Sequence, residues 1–300
     1  MTSSAAARLP PRSLAPAVLV MGKGGVGKTT VAASLAALEA ETHGAAALVE
    51  FGDGESGRRA LGGARKGVEH VVIKPAEALQ RGAAPLFGSA TVARLALDNF
   101  AMRPLLRAAP AVRELAMLEA VRHTVSERPG VRVVVDMPAT GHGVAWLRVP
   151  KQGRDFLGAG PLFEMCDRVG RELLSPGRAS IVVVTLPERL VIEETMELCD
   201  ALDREVGLPA DRVVVNRVPL PLAPGALDDA RSLAAREGPL QAPARSLVAA
   251  LEAREAAHAE ASAALATLTL KEHALWRVPL APVDPSARDV ARWLRAEGAA

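Results

Sequence analysis

Cysteine is scarce in this 300-residue chain: Cys166 and Cys199 stand alone, with no CxxC pair. That excludes a disulfide framework or a zinc knuckle and fits a reducing, cytoplasmic setting. Both thiols read as small buried apolar residues. No run of about 18 apolar residues occurs, so no membrane-spanning helix is expected. Neither sign of charge dominates. The formal net charge is +2 and no basic run interrupts the sequence, which argues against a nucleic-acid partner. Internal repeats are absent, and the histidines have no ligand spacing. The first acidic residue is Glu39. Residues 1–16, rich in Ser, Ala, Arg and Pro, therefore faintly resemble a transit peptide, but a disordered tail is the simpler expectation.

What is present centres on Gly22-Lys23-Gly24-Gly25-Val26-Gly27-Lys28-Thr29-Thr30. The apolar run Ala17 to Met21 precedes it as a buried strand should, and Val31, Leu35 and Leu38 follow on one helix face. Strand, glycine loop and helix together form a phosphate-binding loop. Glycines let successive N–H groups of Gly24, Gly25, Val26, Gly27 and Thr30 converge on phosphate oxygens at the positive helix end. Lys28 supplies charge to the β- and γ-phosphates of ATP, and the Thr29 hydroxyl is placed to ligate Mg²⁺. Lys23 makes this the deviant form of the Walker A loop, which resembles that of ATPases that dimerise on nucleotide. In those the early lysine reaches the partner subunit's nucleotide.

Further strands are expected at Ala45 to Phe51, Glu69 to Lys74, Val131 to Asp136, Ile181 to Thr185, Arg212 to Asn216 and Ala274 to Pro279. Between them lie helical patterns at 75–128, 161–174, 191–206, 227–237 and 246–268, and a final helix carries Val290, Trp293 and Leu294. Residues 141–160, with Pro150 and several glycines, read as irregular. Alternating strands and helices predict an α/β fold, a mostly parallel sheet covered on both faces, over residues 17–300. The helical blocks 75–128 and 144–175 read as an inserted subdomain.

The strand ending in Asp136 resembles a Walker B strand, and Asp136-Met137-Pro138-Ala139-Thr140-Gly141-His142 forms a second signal. Asp136 would hold the Mg²⁺ shell, while the Thr140 and Gly141 backbone would bond the γ-phosphate and move when it leaves. Together GKGGVGKTT, DMPATGH, TLPERLVIEET, VVVNRV and RVPLAP resemble the ArsA-type ATPases, which include the arsenite-pump ATPase and the tail-anchored-protein targeting ATPase. The likeness covers roughly 17–295. It implies that Asn216 contacts adenine and that the backbone near Pro279 lines the base pocket. The proline-acid pair at Glu188 would start a mobile helix or cap it.

The departures are also informative. The family's first switch carries Asp-Pro-Ala-His, with an aspartate that positions the attacking water, whereas here the segment is Glu50-Phe51-Gly52-Asp53-Gly54-Glu55. Asp53 is the candidate for that role, with Glu50 behind it; a solvated turn acid is the alternative. The dimer-bridging CxxC and an arsenite cysteine trio are both absent. The expectation is a dimeric ATPase, paired with itself or with an ArsA-like paralogue, in which Lys23, Asp53 and Asp136 serve catalysis. Its helical surface would carry Leu86, Phe87, Leu95, Leu97, Phe100, Met102, Leu105, Leu106, Met117, Phe156, Leu162, Phe163 and Met165 for a membrane-protein or other hydrophobic client, although apolar helices of this kind are more often ordinary core. A nucleotide-binding regulatory subunit with little turnover is the main alternative. A positioning ATPase of the ParA or MinD type fits less well, for want of a basic DNA stripe or a basic amphipathic last helix.

Overall fold

A computed structural model describes residues 14–62, 66–87, 110–138, 143–268 and 274–298, with backbone alone for 83–87 and 274. Its order is β1 (Ala17–Met21), α1 (Lys28–His43), β2 (Ala46–Phe51), α2 (Glu55–Leu61), β3 (Val68–Ile73) and α3 (Pro75–Phe87). Next come α4 (Pro110–Ser126), β4 (Arg132–Asp136), α5 (Gly143–Phe156), α6 (Pro161–Glu172), β5 (Ala179–Thr185) and α7 (Arg189–Ala201), which ends in a π turn (Leu202–Val206). The chain continues through β6 (Ala210–Val218), α8 (Ala226–Ala234), α9 (Gln241–Ala266), β7 (Ala274–Pro279) and α10 (Ala287–Ala296).

The strands form one parallel seven-stranded sheet in the order β3-β2-β4-β1-β5-β6-β7. The runs Ala17–Met21 of β1, 133–135 of β4 and 181–184 of β5 are apolar and buried because both faces of the sheet are covered. In β1, Ala17, Leu19 and Met21 face one apolar cluster while Val18 and Val20 face another. On the second face lie Val31, Leu35 and Leu38 of α1, Leu61 of α2 and Val290 and Leu294 of α10. Burying each such leucine contributes about 2 kcal/mol. On the first lie Leu115, Leu118 and Val121 of α4, Trp146 and Leu147 of α5, Val169 of α6 and Cys199 of α7. Helices α4 to α6 thus cover the sheet directly. From β1 the chain runs out to β2 beyond β4, while later strands build the other way from β5. This reversal opens a crevice at the carboxyl ends of β1 and β4, where ligands of such sheets bind.

Two expectations change. Residues 143–156 are helical although irregular structure was expected, and Pro150 lies inside the helix. Proline removes one backbone hydrogen bond, but Trp146, Leu147, Val149 and Pro150 are all buried, against α4, α6 and the π turn, and that packing outweighs the local preference. Gly153 lies in this helix, and a Cβ there would stand 2.3 Å from Cys166 Sγ, so glycine is what lets α5 approach α6. Residues 14–16 are not part of a loose tail. Leu14 is buried, the Ala15 N–H donates to Ser180 Oγ at 3.0 Å and the Val133 N–H donates to the Pro16 carbonyl at 2.8 Å.

The apolar residues assigned to a client surface divide. Met117 and Met165 are core, Leu162 and Phe163 are half-buried and Phe156 is 86% exposed. The side chains of Leu86 and Phe87, and residues Leu95, Leu97, Phe100, Met102, Leu105 and Leu106, lie outside the described residues. No described helix is long and apolar enough to cross a membrane.

Candidate nucleotide site

The loop after β1 turns into α1 through Gly27, whose left-handed backbone (φ 93°) begins the helix. A side chain there would be strained and would place Cβ 2.3 Å from Asn216 Nδ2. Lys28, the first residue of α1, is buried, and its ammonium donates to the Lys23 carbonyl at 2.7 Å. Burial lowers its pKa below the ordinary lysine value, opposed by the charge of Asp136. The lysine is therefore held by a neutral carbonyl that an anionic oxygen outcompetes.

Thr29 Oγ1 donates to Asp136 Oδ2 at 2.6 Å. The backbone puts them together: Val20, at the end of β1, and Glu50, at the end of β2, both sit in register with Asp136. Asp136 is buried, and its Oδ1 has no hydrogen-bond partner among the described residues. Burial pushes its pKa up to about 6; the nearby Glu50 charge adds to this, while the Thr29 hydrogen bond and Lys28 oppose it. A buried carboxylate oxygen with no donor, beside a hydroxyl and an ammonium, suits a hard cation that shares phosphate oxygens. Among the described residues no three His, Cys, Asp or Glu side chains form a metal cage.

The acids of the first switch segment separate. Glu50 is buried, and its Oε2 accepts from the Gly57 N–H at 2.8 Å and lies 3.1 Å from His70 Nε2. It holds the first turn of α2 against β3. Asp53 is exposed, and its Oδ1 accepts from the Glu55 N–H at 2.9 Å, the geometry of a turn acid at a helix start. Lys23 is exposed, and its ammonium donates to Glu194 of α7 at 2.8 Å. Glu188 occupies the N-cap position of α7, but its side chain makes no capping bond. Phe51 packs edge-on against Trp146 at 5.5 Å, joining the end of β2 to α5. Thr140 and Gly141 lie outside the described residues.

Beside the loop is a cleft of about 370 Å³ lined by Gly27, Thr29, Thr30, Asn216, Pro279 and, among others, Arg59 and Arg217. The structure thus brings Asn216 and Pro279 to one wall with the phosphate loop. Asn216 Nδ2 donates to the Val26 carbonyl at 2.8 Å and Oδ1 accepts from the Arg217 N–H at 2.9 Å. The amide ties the loop to the end of β6 and keeps one N–H and one lone pair for a ligand. Sequence reasoning missed Arg59, Arg217 and the His70 contact to Glu50. Only the tertiary fold brings α2 and the segment after Asn216 to the same cleft.

No family model matches the chain. It is 30% identical over 228 residues to the ATPase BagA of Mycobacterium tuberculosis, and equally to a Mycobacterium bovis protein whose name classes it provisionally as an ATPase. Each alignment covers 69% of this chain and 66% of the relative. The chain therefore spans just under two thirds of the length of the curated relatives it matches. On a parallel α/β sheet with its loop at the reversal of strand order, this chain is a homologue of mycobacterial proteins named as ATPases.

Proposed function

We propose that the chain binds ATP with Mg²⁺ and hydrolyses it, as an ArsA-like ATPase of the deviant Walker A class. The observation that carries this reading is the convergence of Lys28, Thr29 and Asp136 at the carboxyl ends of β1 and β4, with Thr29 and Asp136 2.6 Å apart. Lys28 exchanges the Lys23 carbonyl for the β- and γ-phosphates. Thr29 and Asp136 would hold the Mg²⁺. When bound, the cation neutralises charge developing on the phosphates. Thr140 and Gly141 supply backbone donors to the γ-phosphate. Asn216 and Pro279 border the adenosine.

The protein acts in the cytoplasm as a homodimer, or as a heterodimer with an ArsA-like paralogue, with Lys23 leaving Glu194 to reach the partner's nucleotide. The nucleotide state opens and closes a helical surface for a hydrophobic client such as a membrane protein. One observation favours the second reading, a nucleotide-binding subunit with little turnover: Asp53 is exposed and occupied by the Glu55 N–H, so it is not poised to orient water. Phosphate release by the purified chain, with and without Mg²⁺, separates the two. Mg²⁺-dependent turnover that Asp136→Asn removes supports the ATPase. Tight ATP binding with no release favours the regulatory subunit, and no ATP binding at all refutes both.

A further inference from the structure

Lys28 and the Asp136 carboxylate serve the β- and γ-phosphate end of the site, and Lys23 is engaged by Glu194. The rest of a nucleotide would lie along the cleft past Thr30, where a different set of cations waits. Arg59 of α2 and Arg217, immediately after Asn216, both line that cleft. Neither guanidinium has an ion-pair partner among the described residues, although the neighbouring Arg58 pairs with Glu55. Asp284 is the one carboxylate of the lining, against two arginines. Pro279, Leu280 and Val283 add an apolar wall, with Leu280 and Val283 largely exposed.

Backbone strain singles out Arg217. It is the one non-glycine residue with a left-handed backbone among those described, at φ 57°. Glycine adopts that conformation without cost, whereas arginine does not. Strain of this kind persists where the surroundings impose it, and it clusters at ligand sites. Here the imposing contact is the Asn216 side chain, which holds the Arg217 N–H while bonded to the phosphate loop. A residue chosen only for the turn would be glycine.

We propose that Arg59 and Arg217 form a cation pair that grips the α-phosphate and ribose of the bound nucleotide. The apolar wall from Pro279 to Val283 receives the base. The volume of about 370 Å³ suits a ligand of nucleoside size. A planar guanidinium matches a phosphate in a way an ammonium does not. This assignment rests on the nucleotide reading above and specifies which residues make the adenosine-phosphate end contribute to affinity.

Calorimetry on the full chain with two ligands tests it. ADP carries the α-phosphate and nucleoside, while pyrophosphate fills only the phosphate loop. Arg217→Gly keeps the left-handed turn and removes the side chain. It should melt at or above the wild-type temperature, yet weaken ADP about tenfold or more, the loss of one charged hydrogen bond, with pyrophosphate affinity unchanged. Arg59→Ala should weaken ADP by a similar factor, and Arg217→Lys should recover only part of the loss. Wild-type ADP affinity in both Arg217→Gly and Arg59→Ala, or equal weakening of ADP and pyrophosphate, would overturn the proposal. Lys28→Ala should lose both ligands. A wild-type chain that binds neither overturns the nucleotide reading itself and this inference with it.

Discussion

Replacing Asp136 with asparagine should make the nucleotide-free protein more stable while removing its metal-dependent chemistry. Asp136 is buried, one of its oxygens accepts from Thr29 and the other has no partner among the described residues. Burial raises its pKa from 3.8 to about 6, and at about 1.4 kcal/mol per pKa step the ionised carboxylate costs the native state roughly 3 kcal/mol. The sign follows from linkage. A carboxyl whose native pKa exceeds its unfolded value holds the native state without penalty below about pH 4, and stability falls as pH rises through about 6. Asparagine carries no such penalty but adds a donor that needs a partner, so the expected net gain at pH 8 is about 2 kcal/mol, or about 4 °C in melting temperature. The gain should shrink steadily as pH falls from 6 towards 4. Thermal and urea melts of both proteins in EDTA across this range measure it, alongside ATP binding and phosphate release with Mg²⁺. A variant less stable than wild type at pH 8, or a stability difference independent of pH, would sink the claim that Asp136 is a strained, charge-bearing site group. Stability withheld at a functional carboxylate is the trade-off expected of an active site.

Three further outcomes follow from other contacts. Lys28→Ala should abolish ATP binding in calorimetry, because only backbone donors then face the β- and γ-phosphates; unchanged affinity would contradict the loop assignment. Lys23→Ala should leave folding within about 0.5 kcal/mol, since its pairing with Glu194 is solvent-exposed, and keep ATP binding while losing turnover or nucleotide-dependent dimerisation in light scattering. Gly153→Ala, although it favours a helix by about 1 kcal/mol, should destabilise by about 1–3 kcal/mol through its clash with Cys166. Adding Cys166→Ala should recover most of that loss in a double-mutant cycle, and purely additive effects would show that Gly153 is not there for the α5 to α6 approach.

The strand, glycine loop and helix of residues 17–38 were legible because their signals are local: a β-branched or apolar run, glycines where the backbone must curl, and an i, i+4, i+7 face. The strand ending in Asp136 was legible for the same reason, as was the α/β class, which follows from alternation of the two periodicities. Local signals misled at 143–156, where Pro150 and the glycines argue against a helix that the burial of Trp146 and Leu147 enforces. Nor do they say why residue 153 is glycine. A contact with Cys166 on another helix is not written in the neighbouring residues. Which acid does what was equally hidden: Glu50 and Asp53 stand three positions apart, yet one is buried against Gly57 and His70 while the other caps an exposed turn. Arg217 acquires its left-handed backbone only because Asn216 bonds both to it and to Val26, 190 positions away. Chain-local chemistry thus decided the glycine loop and its place between a buried strand and a helix. Long-range packing and sheet register decided which carboxylate stands beside Thr29, which lysine is left at the surface, and which two arginines line the cleft beyond the loop.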